Sequence, residues 1–372
     1  MKRTKLLVWI SLAMSLAANA QTETTIMAPS LTSKPFSHLD LSLTTGTTGL
    51  GIDIATPMGN QFRLRAGFAF MPHVGKTLHF GVQVGQKAED QTEEEFDIIS
   101  QSRFDKLSGL LTGFTGYEVD NKVDMRATPT YYNFNLLVDF FPLRNNKHWH
   151  LTTGIYLGNK QIGKAVNTIE DMPSLLAVGI YNNLYDRAVR GEKIATVGES
   201  DIYLPNALAD KLMDYGKMSI HLGDYSHDVL AEEDIYYPND QWITDENGEW
   251  QWVTTEDVMI HKGEVLYHEG DAYRMVPDKN SMVKAWAYVN KLKPYVGFGY
   301  DGRLVKNDDR WHIGFDAGVL FWGGSPSIIT HDGTDLTNDV NNIRGKVGDY
   351  VDIIKKFEVF PVINLRITRR IF

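Results

Sequence analysis

The chain has 372 residues, 43% hydrophobic and 23% charged, with no cysteine and a formal charge of -10. Without thiols there is no disulfide scaffold, thiol nucleophile, or cysteine-ligated zinc or iron–sulfur site. The acidic balance argues against a nucleic-acid partner, which needs a positive field. After residue 20 no run of 18 apolar residues offers a membrane-crossing helix.

Lys2, Arg3 and Lys5 precede an apolar run from Leu6 to Ala17, and Ala18-Asn19-Ala20 stands before Gln21. Charge, short apolar core and small-residue cleavage site are the layout of a secretory signal peptide, expected over residues 1–20. The run is short for an anchor of about 20 spanning residues. Glutamine at 21, where a lipoprotein carries cysteine, speaks against a lipid anchor. Residues 21–36 are then an N-terminal tail.

From there a period of two recurs, the mark of strands with unlike faces. Segments 38–45 and 48–56 set Asp40 and Asp53 opposite Leu41, Leu43, Ile52 and Ile54, with the phase flipping across Gly46–Gly49. Phe62, Leu64, Ala66, Phe68 and Phe70 oppose Arg63, Arg65 and Gly67, and 78–86 offers Leu78, Phe80, Val82 and Val84. Between Thr130 and Phe140, Tyr132, Phe134, Leu136 and Val138 oppose Asn133, Asn135 and Asp139. Trp149–Gly158 sets Leu151, Ile155 and Leu157 against His150, Thr152, Gly154 and Tyr156. Trp286–Tyr300 sets Leu292, Val296 and Phe298 against Lys291, Lys293, Gly297 and Gly299. In His312–Trp322, Ile313, Phe315, Ala317 and Val319 oppose His312, Gly314, Asp316 and Gly318, and 361–368 alternates again. These are nine strands, and a single-chain bacterial barrel has an even number. Either 78–86 prolongs 61–71, or 38–56 is one strand bulged at its glycines; both give eight.

A soluble sandwich would hide the apolar faces. Three features favour a membrane barrel: polar faces rich in glycine, aromatics near strand ends (Trp149, Trp286, Trp311, Trp322, Tyr300), and strands of about 10 residues, the length of a tilted crossing. In lipid every backbone polar group needs an internal partner, so the sheet must close. Connection lengths agree. Residues 57–60, 142–148 and 302–310 are short, while 87–122, 160–285 and 324–357 are long, as in barrels with short periplasmic turns and long outer loops. The expected fold is all-β: an antiparallel up-and-down transmembrane barrel of about eight strands over 37–159 and 286–372. The interior of such a barrel is filled by side chains. Asp40, Asp53, Asp139 and Asp316 are expected to face Arg63, Arg65, Lys291, Lys293 and Arg366 as a salt-bridged plug, since unpaired buried charges are costly.

Residues 160–285 hold 11 Lys and Arg against 23 Asp and Glu, the whole acidic excess of the chain. Leu175–Arg190 and Ala207–Tyr215 are predicted helices, the second capped by Asn206 and ended by Gly216. Glu249–Val253 and Glu264–Met275 suggest hairpins, with a turn at Asp245-Glu246-Asn247-Gly248. This block is expected to be an acidic extracellular α+β insertion, its Trp and Tyr serving recognition or only its own core. Ile343, Val347, Tyr350, Ile354 and Phe357 predict a further helix over Val340–Phe357.

Catalytic patterns do not emerge. Gly297-Phe298-Gly299-Tyr300-Asp301-Gly302 spells a dinucleotide fingerprint but precedes a turn and strand rather than a helix. Asp245–Gly248 has glycine at the wrong offset for a calcium loop. Glu264, His268 and Asp271 lack the zinc-protease pattern, and Ser325 lacks a nucleophile elbow. No catalytic, cofactor or metal residue is assigned.

The C-terminal run Pro361-Val362-Ile363-Asn364-Leu365-Arg366-Ile367-Thr368, with Pro294-Tyr295-Val296-Gly297-Phe298-Gly299 and the Gly314–Pro326 segment, resembles uncharacterised Gram-negative outer-membrane β-barrel proteins of the small, roughly eight-stranded type. The resemblance covers the strands and not the middle insertion. It implies residence in outer-membrane lipid and delivery by the barrel-assembly machinery. Phe372 falls on the face of Arg366 and Arg370, so either Ile371 takes the terminal-signal role or the strand end is bulged. The function expected is surface recognition of an unknown extracellular ligand or protein, or a structural role. The alternatives are a small-solute channel and, by fold analogy alone, an outer-membrane hydrolase.

Overall fold

Eight antiparallel strands close edge to edge: β1 (Asp40–Gly46), β2 (Gly49–Pro57), β3 (Phe62–Phe70), β4 (Tyr132–Phe140), β5 (Trp149–Gly158), β6 (Leu292–Val305), β7 (Asp308–Leu320) and β8 (Phe360–Arg370). The ring shuts where β1 pairs with β8, Asp40 opposite Arg370 and Gly46 opposite Asn364. The computed structural model describes residues 36–371 except 89–90, 144–145, 238–240, 245–249, 254–257, 307 and 344. The expected signal segment and tail up to residue 35, the expected turn at Asp245–Gly248, and Phe372 lie outside the described residues.

Period-two alternation decides which way each side chain points. On β8, Ile363, Leu365 and Ile367 project outward and are exposed, Leu365 by 58%, while Val362, Asn364, Arg366 and Thr368 are buried inside. The same division puts Ile52 and Ile54 outside and Asp53 inside, Leu151 and Ile155 outside and His150 and Thr152 inside. Large apolar side chains thus cover the outer wall, while the charged side chains of these strands point into the lumen. Among the described residues no helix is long and apolar enough to cross a membrane.

The strand ambiguity resolves in a way the alternation did not show. Segment 38–56 is two strands joined at Gly46–Gly49. There Gly49 has φ +96, and a Cβ would run into the backbone carbonyl of Phe70, so glycine is required. Segment 78–86 does not prolong β3. After Pro72, Lys76–Gly81 pairs with Lys122–Pro129 outside the barrel, and Gln83–Val84 pairs with Ser219 and Met218. Trp286–Tyr300 is also not one strand: Lys284–Tyr288 pairs outside the barrel and only Leu292–Val305 lies within it.

Short turns close one end, at residues 58–61, at 141–148 and between Val305 and Asp308, and β1 begins and β8 ends there. From the other end, five of the eight strands carry on after brief breaks. Ser327–Thr330, Lys284–Tyr288, Gln161–Asn167, Lys122–Pro129 and Lys76–Gly81 form a five-stranded sheet, with the neighbour order of β7, β6, β5, β4 and β3 below them. Backbone bonds stitch the breaks, including Met71 N–H to the Tyr131 carbonyl (2.8 Å) and Val289 N–H to that of Lys160 (2.9 Å).

Helices and smaller sheets complete this cap. α1 (Glu93–Thr115), in a stretch expected to be only a long connection, is the longest. Thr92 and Glu95 cap it reciprocally and Gly116 ends it in a left-handed turn. α2 (Met172–Val189) and α3 (Asn206–Tyr215) match the expected helices, but Pro205 rather than Asn206 takes the cap position, with no side-chain bond. α4 (Gly345–Lys355) is shorter than the 340–357 pattern. Trp250–Val253 pairs with Gln241–Thr244, whereas Val265–Tyr267 and Ala272–Met275 pair with Val229–Leu230 and the Met218–Tyr225 strand rather than with each other. One apolar core joins Val84, Leu107, Leu111, Val123, Leu175, Tyr181, Leu212, Met218, Tyr273 and Val340. It draws on all three long connections, so residues 160–285 are part of the cap rather than the whole of it.

Candidate functional site

The lumen is the first candidate, because charged side chains converge there. β3 aims Arg63 and Arg65 inward, β4 Asp139, β6 Asp301, β7 Asp316 and β8 Arg366. Arg63 reaches Asp139 (2.7 Å) and Asp301 (2.8 Å), and Arg65 reaches Asp139 (3.0 Å) and Asp316 (2.9 Å). Arg366 closes the circuit to Asp301 (2.6 Å) and Asp316 (2.8 Å). Three guanidiniums and three carboxylates therefore form a ring in which each charge meets two of the opposite sign. Such mutual pairing offsets the cost of taking these charges out of water. His150, 1% exposed, lies beside the ring with Nε2 3.3 Å from Asp316, and Thr152 donates to Asp139 (2.8 Å).

Toward the cap the lumen turns apolar. Leu137, Tyr156, Tyr295, Leu320, Trp322 and Val362 pack together across it. An ionic layer backed by an aromatic one fills the interior at both levels, as small barrels do.

Of the charges expected in the plug, Asp139, Asp316, Arg63, Arg65 and Arg366 come together. Asp40 sits apart near His38 (3.5 Å) and Arg370 (3.6 Å), and Asp53 accepts from Asn135 (2.9 Å). Lys291 is exposed. Lys293 is fully buried but meets Asn133 Oδ1 (3.1 Å) and the ring face of Tyr131 rather than a carboxylate. Alternation puts His150 on the inner face without assigning it to the plug, and it does not single out Asp301; these are the remaining members of the constellation. Asp301 had been read only within the glycine-rich text. That text is strand: Gly299 lies where a Cβ would stand 2.5 Å from His150 Nε2, and a Cβ on Gly297 would strike the Tyr295 hydroxyl. These glycines make room for plug side chains, not for a phosphate.

Three of the five aromatics expected in a girdle lie near one barrel end. Trp149 and Tyr300 meet edge to face (5.1 Å) and Trp311 lies under Arg369 (5.3 Å), all toward the short-turn end. Trp286 belongs to the cap sheet instead. Trp322 is buried, its ring tilted against Phe360 (centroids 4.9 Å apart) and its indole N–H donating to the Phe357 carbonyl (2.9 Å).

The cap offers the second candidate, a cleft between α1 and the strands Lys76–Gly81 and Met218–Tyr225. Of the cap tyrosines, Tyr181, Tyr215, Tyr225 and Tyr273 are buried in its core, whereas Tyr203 and Tyr236 are exposed. Burial and the neighbouring Asp332 push the Tyr273 phenol well above its ordinary range. Its hydroxyl lies 2.8 Å from Asp332 and 2.9 Å from Thr330, a core hydrogen-bond group. Ser325 donates to the Lys355 carbonyl (2.6 Å), and His268 stands exposed beside Asp228 (3.6 Å). Among the described residues no three His, Asp or Glu side chains are placed to hold a metal.

An outer wall of Leu, Ile and Phe around a charged, filled lumen inverts a soluble protein, and it defines a small transmembrane β-barrel with a folded insertion. No protein-family model and no curated protein matches the sequence. Among solved structures, Acinetobacter baumannii CarO2 is similar at 11% identity, over 91% of this chain and 100% of that one, with a TM-score of 0.32. Acinetobacter baumannii CarO is similar at 10% identity over 90% and 97%, also at 0.32. The membrane reading rests on the faces of this chain's own strands.

Proposed function

We propose that this chain is an outer-membrane protein whose sealed barrel anchors an outward-facing cap, and that the cap recognises a ligand at the cell surface. The observation carrying this reading is the asymmetry of the two ends. Every long connection leaves from one end and shares one apolar core, while the other end has only short turns and the two described chain ends. Short turns face the periplasm in barrels of this kind and long loops face outward. The paired ring and the aromatic layer oppose a solute path, because an ion crossing them would have to displace charges already neutralised. Residues 1–20 would direct export and the barrel-assembly machinery would insert the product, with outer-membrane lipid around the belt.

Two measurements test this together. Protease added to intact cells should cut within 71–131, 159–291 or 321–359 and spare the turns at 58–61 and 141–148. Purified protein in planar bilayers should show no steady conductance. Cleavage confined to the short turns would reverse the orientation, and a stable open level would favour the small-solute channel.

A further inference from the structure

The cap cleft has a volume of about 300 Å³, the lower bound of small-molecule sites. Its floor is apolar, formed by Val82, Ile220 and Leu222. Its wall is made of uncharged polar groups and one carboxylate. Gln83 donates to Asp97 Oδ1 (2.7 Å), which fixes its amide, and its own Oε1 is buried without a hydrogen-bond partner. Ser100 accepts from the Val84 N–H (2.8 Å) and keeps its hydroxyl proton to donate. Asn121 donates its amide N–H to Gln101 Oε1.

We propose that this cleft binds a neutral polyhydroxylated molecule the size of a single sugar ring. The idea rests on the recognition reading above and deepens it by naming the ligand class. Unspent capacity on the wall is mainly acceptor: Gln83 Oε1, the second Asp97 oxygen and the Asn121 amide oxygen. A ligand that supplies several O–H donors meets that demand, which the buried Gln83 acceptor otherwise leaves unmet. Among the described residues no Lys or Arg lines the cleft, which offers an anion no lysine or guanidinium partner there. His79 is engaged by Asp124 (2.5 Å), and His221 lies 3.5 Å from Asp224. The C–H faces of a pyranose would lie on the Val82, Ile220 and Leu222 floor.

Calorimetric titration of the full chain in a zwitterionic, sugar-free detergent tests it, with glucose, galactose, mannose and N-acetylglucosamine as probes. At least one should bind saturably. Gln83→Leu, which removes the orphaned acceptor, should melt no lower than the parent yet weaken binding at least tenfold. Asp97→Asn should weaken it less, because one acceptor oxygen survives. Binding unchanged in both variants would overturn the assignment to this cleft. Binding of ethanolamine or inorganic phosphate in place of sugars would overturn the ligand class. Absence of binding by all four sugars would overturn the proposal while leaving the surface-exposed cap, tested separately by protease, in place.

Discussion

Asp316 links two of the three ring guanidiniums, and replacing it with asparagine keeps its shape while removing its charge. It accepts from Arg65 through both guanidinium nitrogens (2.9 and 3.0 Å) and from Arg366 (2.8 Å), with His150 at 3.3 Å. Asp316→Asn leaves three guanidiniums facing two carboxylates and turns an amide donor toward cations. Breaking a buried ion pair from one side costs about 3–5 kcal/mol. Arg65 keeps Asp139 and Arg366 keeps Asp301, which favours the lower part of that range. Adding Arg366→Met restores neutrality, with Arg63 and Arg65 facing Asp139 and Asp301. The double variant should then recover about 2 kcal/mol relative to the sum of the singles. Urea unfolding in lipid vesicles, followed by tryptophan fluorescence and by heat-dependent gel mobility, reads both quantities. A loss below about 1 kcal/mol for Asp316→Asn, the scale of an exposed pair, or strict additivity in the double variant would refute a closed charge ring.

Four further outcomes follow from the same geometry. Lys293 is buried without a carboxylate, so Lys293→Met should leave stability unchanged or raise it; a loss above about 2 kcal/mol in the same unfolding assay would show an unrecognised partner. Thr92→Ala removes the capping box of α1 and should cost about 1 kcal/mol, seen as a lower cap melting temperature with barrel gel mobility intact. Leu365→Arg puts charge into the belt and should cost about 2–4 kcal/mol in bilayers if that position lies near the midplane. Burial pushes Asp278 upward, but bonds from Lys284 and from the Met282 and Asn280 N–H groups more than offset it and hold the carboxyl below its usual range. Its contribution is therefore whole above about pH 4 and is lost as acid protonates it. Cap melting followed from pH 6 down to pH 3 should fall less steeply for Asp278→Asn than for the parent.

The barrel was legible because each wall strand carries two unlike faces, and a period of two survives any uncertainty about where a strand ends. Strand membership was harder. Lys76–Gly81 and Lys284–Tyr288 alternate like wall strands, since they continue the same strands past the mouth; only Pro72 and the Val289–Lys291 break mark the change. α1 was missed although Thr92-x-x-Glu95 announces its start and Phe96, Ser100, Phe104, Leu107 and Leu111 share its buried face. Its many polar residues hid that spacing inside what reads as a long connection. Five of the six ring members follow from inward-facing charge alone, together with four charges that lie outside the ring. Pairing depends on stagger between strands far apart in sequence, as Arg65 and Asp316 are, so alternation puts His150 on the inner face but assigns neither its partner nor the role of Asp301. The cleft arises where α1 meets strands from two different connections, and no local pattern encodes that meeting.

The absence of cysteine in the parent allows the orientation of the wall to be measured directly. Single cysteines at Val362, Ile363, Asn364, Leu365, Ile367 and Thr368, spin-labelled in lipid vesicles, would be compared for collision with oxygen and with a water-soluble nickel reagent. Labels at 363, 365 and 367 should collide with oxygen and avoid nickel, while those at 362, 364 and 368 should be shielded from both. Loss of that alternation, or nickel access at 363, 365 and 367, would contradict an outer wall that faces hydrocarbon.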